Sequence, residues 1–204
     1  MVITEFTPTP PYPERIVGPD TFTGAPRSRD SRPHLTDIIR DMAEAIGRGK
    51  GRSGDPITEE ELNWYAAGGW LWEHVWDMAH REAVVDGTLW SPGEVELDGI
   101  VGTPDRLRVD EDGGLVVVEL KTRWASARKF DDLEKWYWQE LSQIAGYAKM
   151  VGTVRSELHV FYVAGNWQPP IPTARCARIE WTERELEERW GGIVGHARRK
   201  GWLK

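Results

Sequence analysis

The stretch GTPDRLRVDEDGGLVVVELKTRW, residues 102–124, restricts the folds open to this chain more than any other segment. Successive side chains of a strand point to opposite faces. Leu115, Val117, Glu119 and Lys121 therefore share one face, and Val116, Val118 and Leu120 the other. Apolar residues on both faces predict a central strand covered on both sides, as in layered α/β folds. A carboxylate is costly to bury there unless it is paired or bound to a metal, yet the apolar run ends in Glu119 and Lys121. Just upstream, Asp105, Leu107 and Val109 share a face. A turn centred on Asp112, with Gly113 supplying a positive φ, sets Asp105 opposite Glu119. Carboxylates so opposed lie about 5 Å apart at Cβ and repel. A divalent cation resolves that repulsion, and hard oxygen donors suit Mg²⁺ or Mn²⁺. Lys121 can then orient or deprotonate a water, or stabilise charge on a phosphate. The same three residues can also form a plain Asp–Lys–Glu salt bridge across a hairpin.

Residues 1–33 hold more than half of the chain's 13 prolines and no apolar periodicity. They read as an extended arm, solvated or laid along a partner, ahead of one domain over 34–204. Leu35, Ile38, Ile39, Met42 and Ile46 recur at helical spacing. The GRGKGRSGD run, 47–55, lacks the glycine and hydroxyl spacing of a phosphate loop and reads as a linker. Thr58 with Glu61 signals the cap of a long helix to about Val84. Its inward stripe reads Leu62, Tyr65, Ala66, Gly69, Trp72, Trp76 and Ala83. Glu73 falls within that stripe, as a further metal ligand, a holder of a water next to the metal, a side chain that reaches out to solvent, or an arginine partner. His80, on the same face, reads as structural. The Gly68–Gly69 pair costs helix stability and predicts close approach of another backbone or of DNA. Strands are expected near 93–98, 100–109 and 114–121, then a helix over 131–152, a strand over ELHVFYVAG and another over 173–181. Thr182 with Glu185 caps a last helix whose Leu186, Trp190, Ile193 and Val194 face inward.

In the 131–152 helix, Gln143 and Tyr147 stand four apart on one face. Gln can bond a phosphate or base edge, and Tyr can stack or pack in the core. A single cysteine, Cys176, excludes a disulfide framework and a cysteine-held iron–sulfur cluster. A net charge of −7 argues against nucleic-acid binding by bulk charge, but leaves room for a local basic groove. The run KTRWASARK, 121–129, holds Lys121, Arg123, Arg128 and Lys129 with Trp124 and no acid. That composition suits a passing nucleic-acid strand, or a solvated loop. No apolar run is long enough to span a bilayer, and the cytoplasm is the expected compartment.

Together these pieces resemble a known family. Pro104–Asp105, thirteen residues, then Glu119-Leu120-Lys121 is similar to the PD-(D/E)XK nuclease signature. Gly102 completes a GxxD form, and QIAGY matches QxxxY, the two variants found together in the RecB-like branch with its phage-encoded exonucleases. Gly69 with Glu73 is similar to the GxxxE of lambda-exonuclease and YqaJ-type enzymes. The resemblance covers about residues 59–164 and implies a restriction-endonuclease-like α/β core of helix, three strands, helix and strand, here with helical additions at both ends. It implies that Asp105, Glu119 and the Leu120 carbonyl bind Mg²⁺ or Mn²⁺, that Glu73 completes the acidic set, and that Lys121 is catalytic. Gln143 and Tyr147 would help position DNA. The four cysteines of the iron–sulfur members are missing, so no such cluster is expected. The expected activity is a metal-dependent DNase, an exonuclease by analogy, in the host cytoplasm if phage-encoded. The alternative is a catalytically silent nuclease fold that binds DNA or serves in an assembly. The arm offers a contact for self-association or for a protein partner.

Overall fold

The computed structural model describes residues 1–6, 32–47, 59–124, 126–163 and 173–204. In chain order these form β1 (Val2–Phe6), α1 (Leu35–Ala45), α2 (Glu59–Ala79), α3 (Arg81–Val85), β2 (Leu89–Trp90), β3 (Val95–Leu97), β4 (Ile100–Gly102) and β5 (Arg106–Val109). Then follow β6 (Leu115–Arg123), a 3-10 helix (Ala127–Asp131), α4 (Leu133–Trp136), α5 (Trp138–Val151), β7 (Arg155–Tyr162), β8 (Thr173–Glu180) and α6 (Glu183–Arg199). Six strands make one sheet in the order β1-β8-β7-β6-β5-β2, and β3 pairs with β4 apart from it. Only the β6–β7 pair is parallel among them, so the chain must cross over between its two strands, and α5 lies in that crossover.

The expected alternation along β6 holds. Val117 packs with Leu35, Ile38, Leu141 and Ile144 of α1 and α5. Val116, Val118 and Leu120 pack with Trp72, Trp76 and Leu89 on the other side. The sheet is thus covered on both faces, and α5 lies over the face that carries Glu119 and Lys121. α6 begins at the expected capping box of Thr182 and Glu185. The domain matches the α/β core expected from the sequence, with differences at its ends and breaks.

Residues 1–33 were expected outside the domain, but Val2–Phe6 pairs antiparallel with β8, from Val2↔Glu180 to Phe6↔Cys176. VITEF is rich in strand-forming residues, and the edge of β8 offers unpaired backbone groups to it. The N-terminal addition is therefore a strand as well as a helix, and the C-terminal addition likewise. Residues 7–31, most of the 47–55 run, Thr58 and the side chains of Glu61, Leu62, Tyr65 and Ala66 lie outside what is described. The expected 100–109 strand is two, because Pro104 has no N–H to continue the ladder. α2 stops at Ala79, where His80 Nδ1 bonds the Trp76 carbonyl at 2.8 Å and α3 starts afresh. The expected 131–152 helix is broken at Tyr137, which turns into the core and bonds the Tyr162 hydroxyl. Ile46 caps α1 and is exposed rather than inward. Among the described residues no helix is long and apolar enough to cross a membrane.

A buried polar network braces the α2 side of the sheet. Trp76 Nε1–H donates to His159 Nδ1 at 3.1 Å, and His159 Nε2 stands 3.2 Å from Glu157. Arg108 and Arg178 pair with the same carboxylate at 2.7 and 3.1 Å. Burial pushes the Glu157 carboxyl up, but the His159 hydrogen bond and the two guanidinium groups outweigh it and bring it down to about 2. A depressed carboxyl stabilises the fold above its unfolded value of about 4.3 and loses that contribution as pH falls further. The melting temperature should therefore drop between about pH 4.5 and pH 2. Glu157→Gln should cost about 1–3 kcal/mol at neutral pH, by taking a charged acceptor from buried His159 and from Arg108 and Arg178, and should flatten that acid limb. Melts of both proteins across this range decide it; a parallel acid limb in the variant assigns the effect elsewhere.

Candidate active site

Because Pro104 ends the ladder, Asp105 lies one step beyond Arg106, which pairs with Val118, and so stands level with Glu119. Gly113 takes the expected positive φ, 78°, in the intervening turn. Asp105 Oδ2 accepts from Leu120 N–H at 2.9 Å, which holds the acid against the strand. Lys121 pairs closely with Glu119 Oε1 and lies 3.9 Å from Asp105. One ammonium thus serves two carboxylates. Glu119 is 1% exposed, and its Oε2 is buried without a hydrogen-bond partner. Burial, then the Asp105 charge, push the Glu119 carboxyl up to about 8 against the pull of Lys121. Burial lowers the Lys121 ammonium, but Glu119 and Asp105 outweigh it and hold it above the ordinary lysine range.

A cleft of about 360 Å³ opens on this group. Asp105, Glu119, Lys121 and Arg123 line one wall, with Glu140 and Gln143 of α5 facing them, and Thr36 and Arg40 of α1 close it. Arg123 pairs with Glu140, which is buried, and lies 5.8 Å over the Tyr137 ring. Sequence reasoning missed Glu140. Its signal was present, since it stands three residues before Gln143 and so on the same helical face.

Glu73 lies apart from the cleft lining. Its carboxylate is 3.7 Å from Arg106, whose guanidinium also grips Asp77 at 2.6 and 2.8 Å. Arg106 reaches Glu73 because it pairs with Val118 and so points to the α2 face. Glu73 still feels the centre: burial, then Asp105, raise its carboxyl against Arg106. Among the described residues no three His, Cys, Asp or Glu side chains form a metal-ready group. Gly68 and Gly69 have nothing within 4 Å of a built Cβ, so the expected close approach is not seen among the described residues. His80 stacks on Trp76 at 3.9 Å between centroids, a structural position as expected.

Gly102 and Tyr147 turn out to be one contact. A Cβ on Gly102 would lie 2.6 Å from Tyr147 Cε1 and 3.2 Å from Met150 Sδ. Tyr147 is 1% exposed, which puts it in the core instead of on the cleft wall. Gln143 Nε2 donates to the Tyr147 hydroxyl at 2.9 Å and to Thr36 Oγ1 at 3.2 Å. The ring thus positions Gln143 at the cleft and packs under the chain leading to Asp105. Gly102→Ala should cost about 1–3 kcal/mol by overpacking, with a larger proportional loss of activity. Denaturant melts beside activity assays read both, and an alanine variant of unchanged stability refutes the contact. Beyond the cleft, Trp124 is 64% exposed, Arg128 is exposed, and Lys129 lies over the Trp136 ring at 4.6 Å.

Two carboxylates in one cleft, one with an unbonded buried oxygen, fit a hard divalent cation better than they fit Lys121 alone. Residues 15–194 match the family model of the PD-(D/E)XK nuclease superfamily. Among solved structures, the chain is similar to an alkaline exonuclease (LHK-Exo) from Laribacter hongkongensis, at 12% identity and TM-score 0.47, over 83% of this chain and 87% of that one. It is also similar to a phage related exonuclease from Haemophilus somnus 129PT, at 15% identity and TM-score 0.44, over 80% and 79% of the two chains. No curated protein matches the chain.

Proposed function

The chain belongs to the PD-(D/E)XK nuclease superfamily, and on that premise we propose that it is a Mg²⁺- or Mn²⁺-dependent deoxyribonuclease acting as an exonuclease. Asp105, Glu119 and the Leu120 carbonyl would hold the cation, with Glu73 completing the acidic set once released from Arg106. When bound, the cation supplies an acidified water and positive charge at the phosphate. Lys121, kept protonated inside the cleft, orients that water or stabilises phosphate charge. Gln143, steadied by Tyr147 and Thr36, reaches for substrate, and Arg123, Trp124, Arg128 and Lys129 guide the strand.

The observation that carries this reading is the buried, unbonded Oε2 of Glu119 in a cleft shared with Asp105. The choice of DNA, and of ends over internal sites, rests on family analogy. Incubating linear and circular DNA with Mg²⁺, Mn²⁺ or EDTA tests it. Digestion of linear DNA alone supports the exonuclease, and nicked circles make it an endonuclease. A second reading, a silent DNA-binding module, draws on the ion pairs by which Lys121 already occupies both carboxylates. DNA binding without cleavage in any metal would select it. Residues 7–33 are the proposed contact for self-association or a protein partner.

A further inference from the structure

Among the described residues of this acidic protein, basic side chains are mostly tied to carboxylates: Arg108 to Glu157, Arg123 to Glu140, Arg155 to Asp112 and Arg175 to Asp131. Beside the cleft, three are not. Among the described residues Arg128, Lys129 and Lys135 have no ion-pair partner, while of the nearby acids Asp131 and Asp132 are engaged and Glu134 is exposed. Asp131 takes Arg175 at 2.7 Å, and Asp132 caps α4 through Lys135 N–H at 3.2 Å. Lys129 and Lys135 instead place their ammonium groups 4.6 and 5.1 Å from the ring centre of Trp136. That ring is 49% exposed at the end of α4. Tyr137 then turns inward beneath Arg123, and Gln139 and Glu140 line the cleft. Trp136 therefore precedes the first of these cleft residues by three positions along the chain.

Two exposed cation–π contacts hold this ring, and each is weak because its ammonium stays solvated. A base stacked on an aromatic ring is held more firmly than a single such contact, and freed ammonium groups then meet the flanking phosphates. A base can therefore displace the lysines from the ring. We propose that Trp136, flanked by Lys129 and Lys135, is a stacking site for an unpaired base on a single-stranded segment adjoining the cleft. This rests on the nuclease reading and narrows its substrate to DNA with a free or frayed strand. A closed duplex offers phosphates but no open base face, and that difference supplies the test.

Binding of a 20-nucleotide oligo-dT and of a dumbbell duplex closed at both ends should be compared in EDTA, so that nothing is cleaved. Trp136→Ala should weaken oligo-dT binding by about tenfold or more and leave the dumbbell unchanged, with Trp136→Phe between. The Lys129→Ala/Lys135→Ala pair should flatten the salt dependence on oligo-dT by about two phosphate contacts, and by less on the dumbbell, where no base frees the ammonium groups from the ring. Equal losses on both DNAs, unchanged oligo-dT binding in Trp136→Ala, or no oligo-dT binding by the wild type each overturns the stacking site. Hydrolysis of bis(p-nitrophenyl) phosphate with Mn²⁺ needs no stacked nucleobase. Trp136→Ala should retain it fully, and its absence from the wild type would count against the nuclease reading while leaving the binding comparison to judge the stacking site.

Discussion

Asp105→Ala and Glu119→Ala should each bring metal-dependent cleavage to background, while the metal-free fold stays as stable as the wild type or becomes more so. Removing one partner of a buried ion pair ordinarily costs about 3–5 kcal/mol, because a charge is left unmatched. Here two carboxylates share the Lys121 ammonium. Deleting either acid leaves a matched pair, so the usual sign is cancelled or reversed. Glu119 should show this most, being buried with an oxygen that bonds nothing. The loss of activity should exceed the ~10- to 100-fold expected when only a ligand's supporting partner is removed. A readout besides cleavage exists: millimolar Mg²⁺ should raise the wild-type melting temperature by mass action and leave that of Glu119→Ala unmoved. Near wild-type cleavage by either variant would sink the metal assignment. A large loss of stability in EDTA would show that the triad is a structural salt bridge.

The parts of this site that could be read from the sequence are those set by local periodicity. Alternation along Leu115–Lys121 places Glu119 and Lys121 on one face, and the Asp112–Gly113 turn fixes the register that brings Asp105 level with Glu119. Partner choice could not be read, because it is decided where distant elements meet. Arg106 takes Glu73 and Asp77 only because β5 turns it toward α2. Glu140 takes Arg123 only because α5 lies along the end of β6. The GxxD and QxxxY patterns were both visible, yet their link is a steric contact between Gly102 and Tyr147 that no spacing within either motif encodes. The break at Tyr137 has the same origin: a buried hydroxyl pair with Tyr162 outweighs local helix preference. β1 was hidden because five residues of strand pattern precede a proline-rich stretch that dominates the composition.

Lys121→Ala should lower turnover by about 10²–10⁴-fold, the range of a positioned proton or charge donor, with DNA affinity barely changed. Lys121 lies inside the cleft with Asp105 and Glu119, whereas Arg123 pairs with Glu140 and Lys129 lies over Trp136. Arg123→Ala and Lys129→Ala should therefore weaken binding and reduce its salt dependence by about one phosphate contact each, with smaller effects on turnover. The protonation state of Lys121 narrows its role further. Burial lowers its ammonium pKa, but the two acids outweigh this and raise it above the ordinary lysine range, so without a cation Lys121 is charged at neutral pH. A lysine that keeps this charge once a cation sits on the two acids can orient a water or stabilise phosphate charge, but it cannot accept a proton. Lys121→Arg, which keeps the charge and cannot act as a base, should then retain a measurable fraction of the activity that Lys121→Ala loses. The variants also differ without DNA. Lys121→Ala leaves Asp105 and Glu119 facing each other unneutralised, so its metal-free fold should be weakened and its stabilisation by Mg²⁺ should exceed that of the wild type. A Lys121→Arg variant as inactive as Lys121→Ala, with turnover rising through a pKa near neutrality in the wild type, would make Lys121 the general base instead.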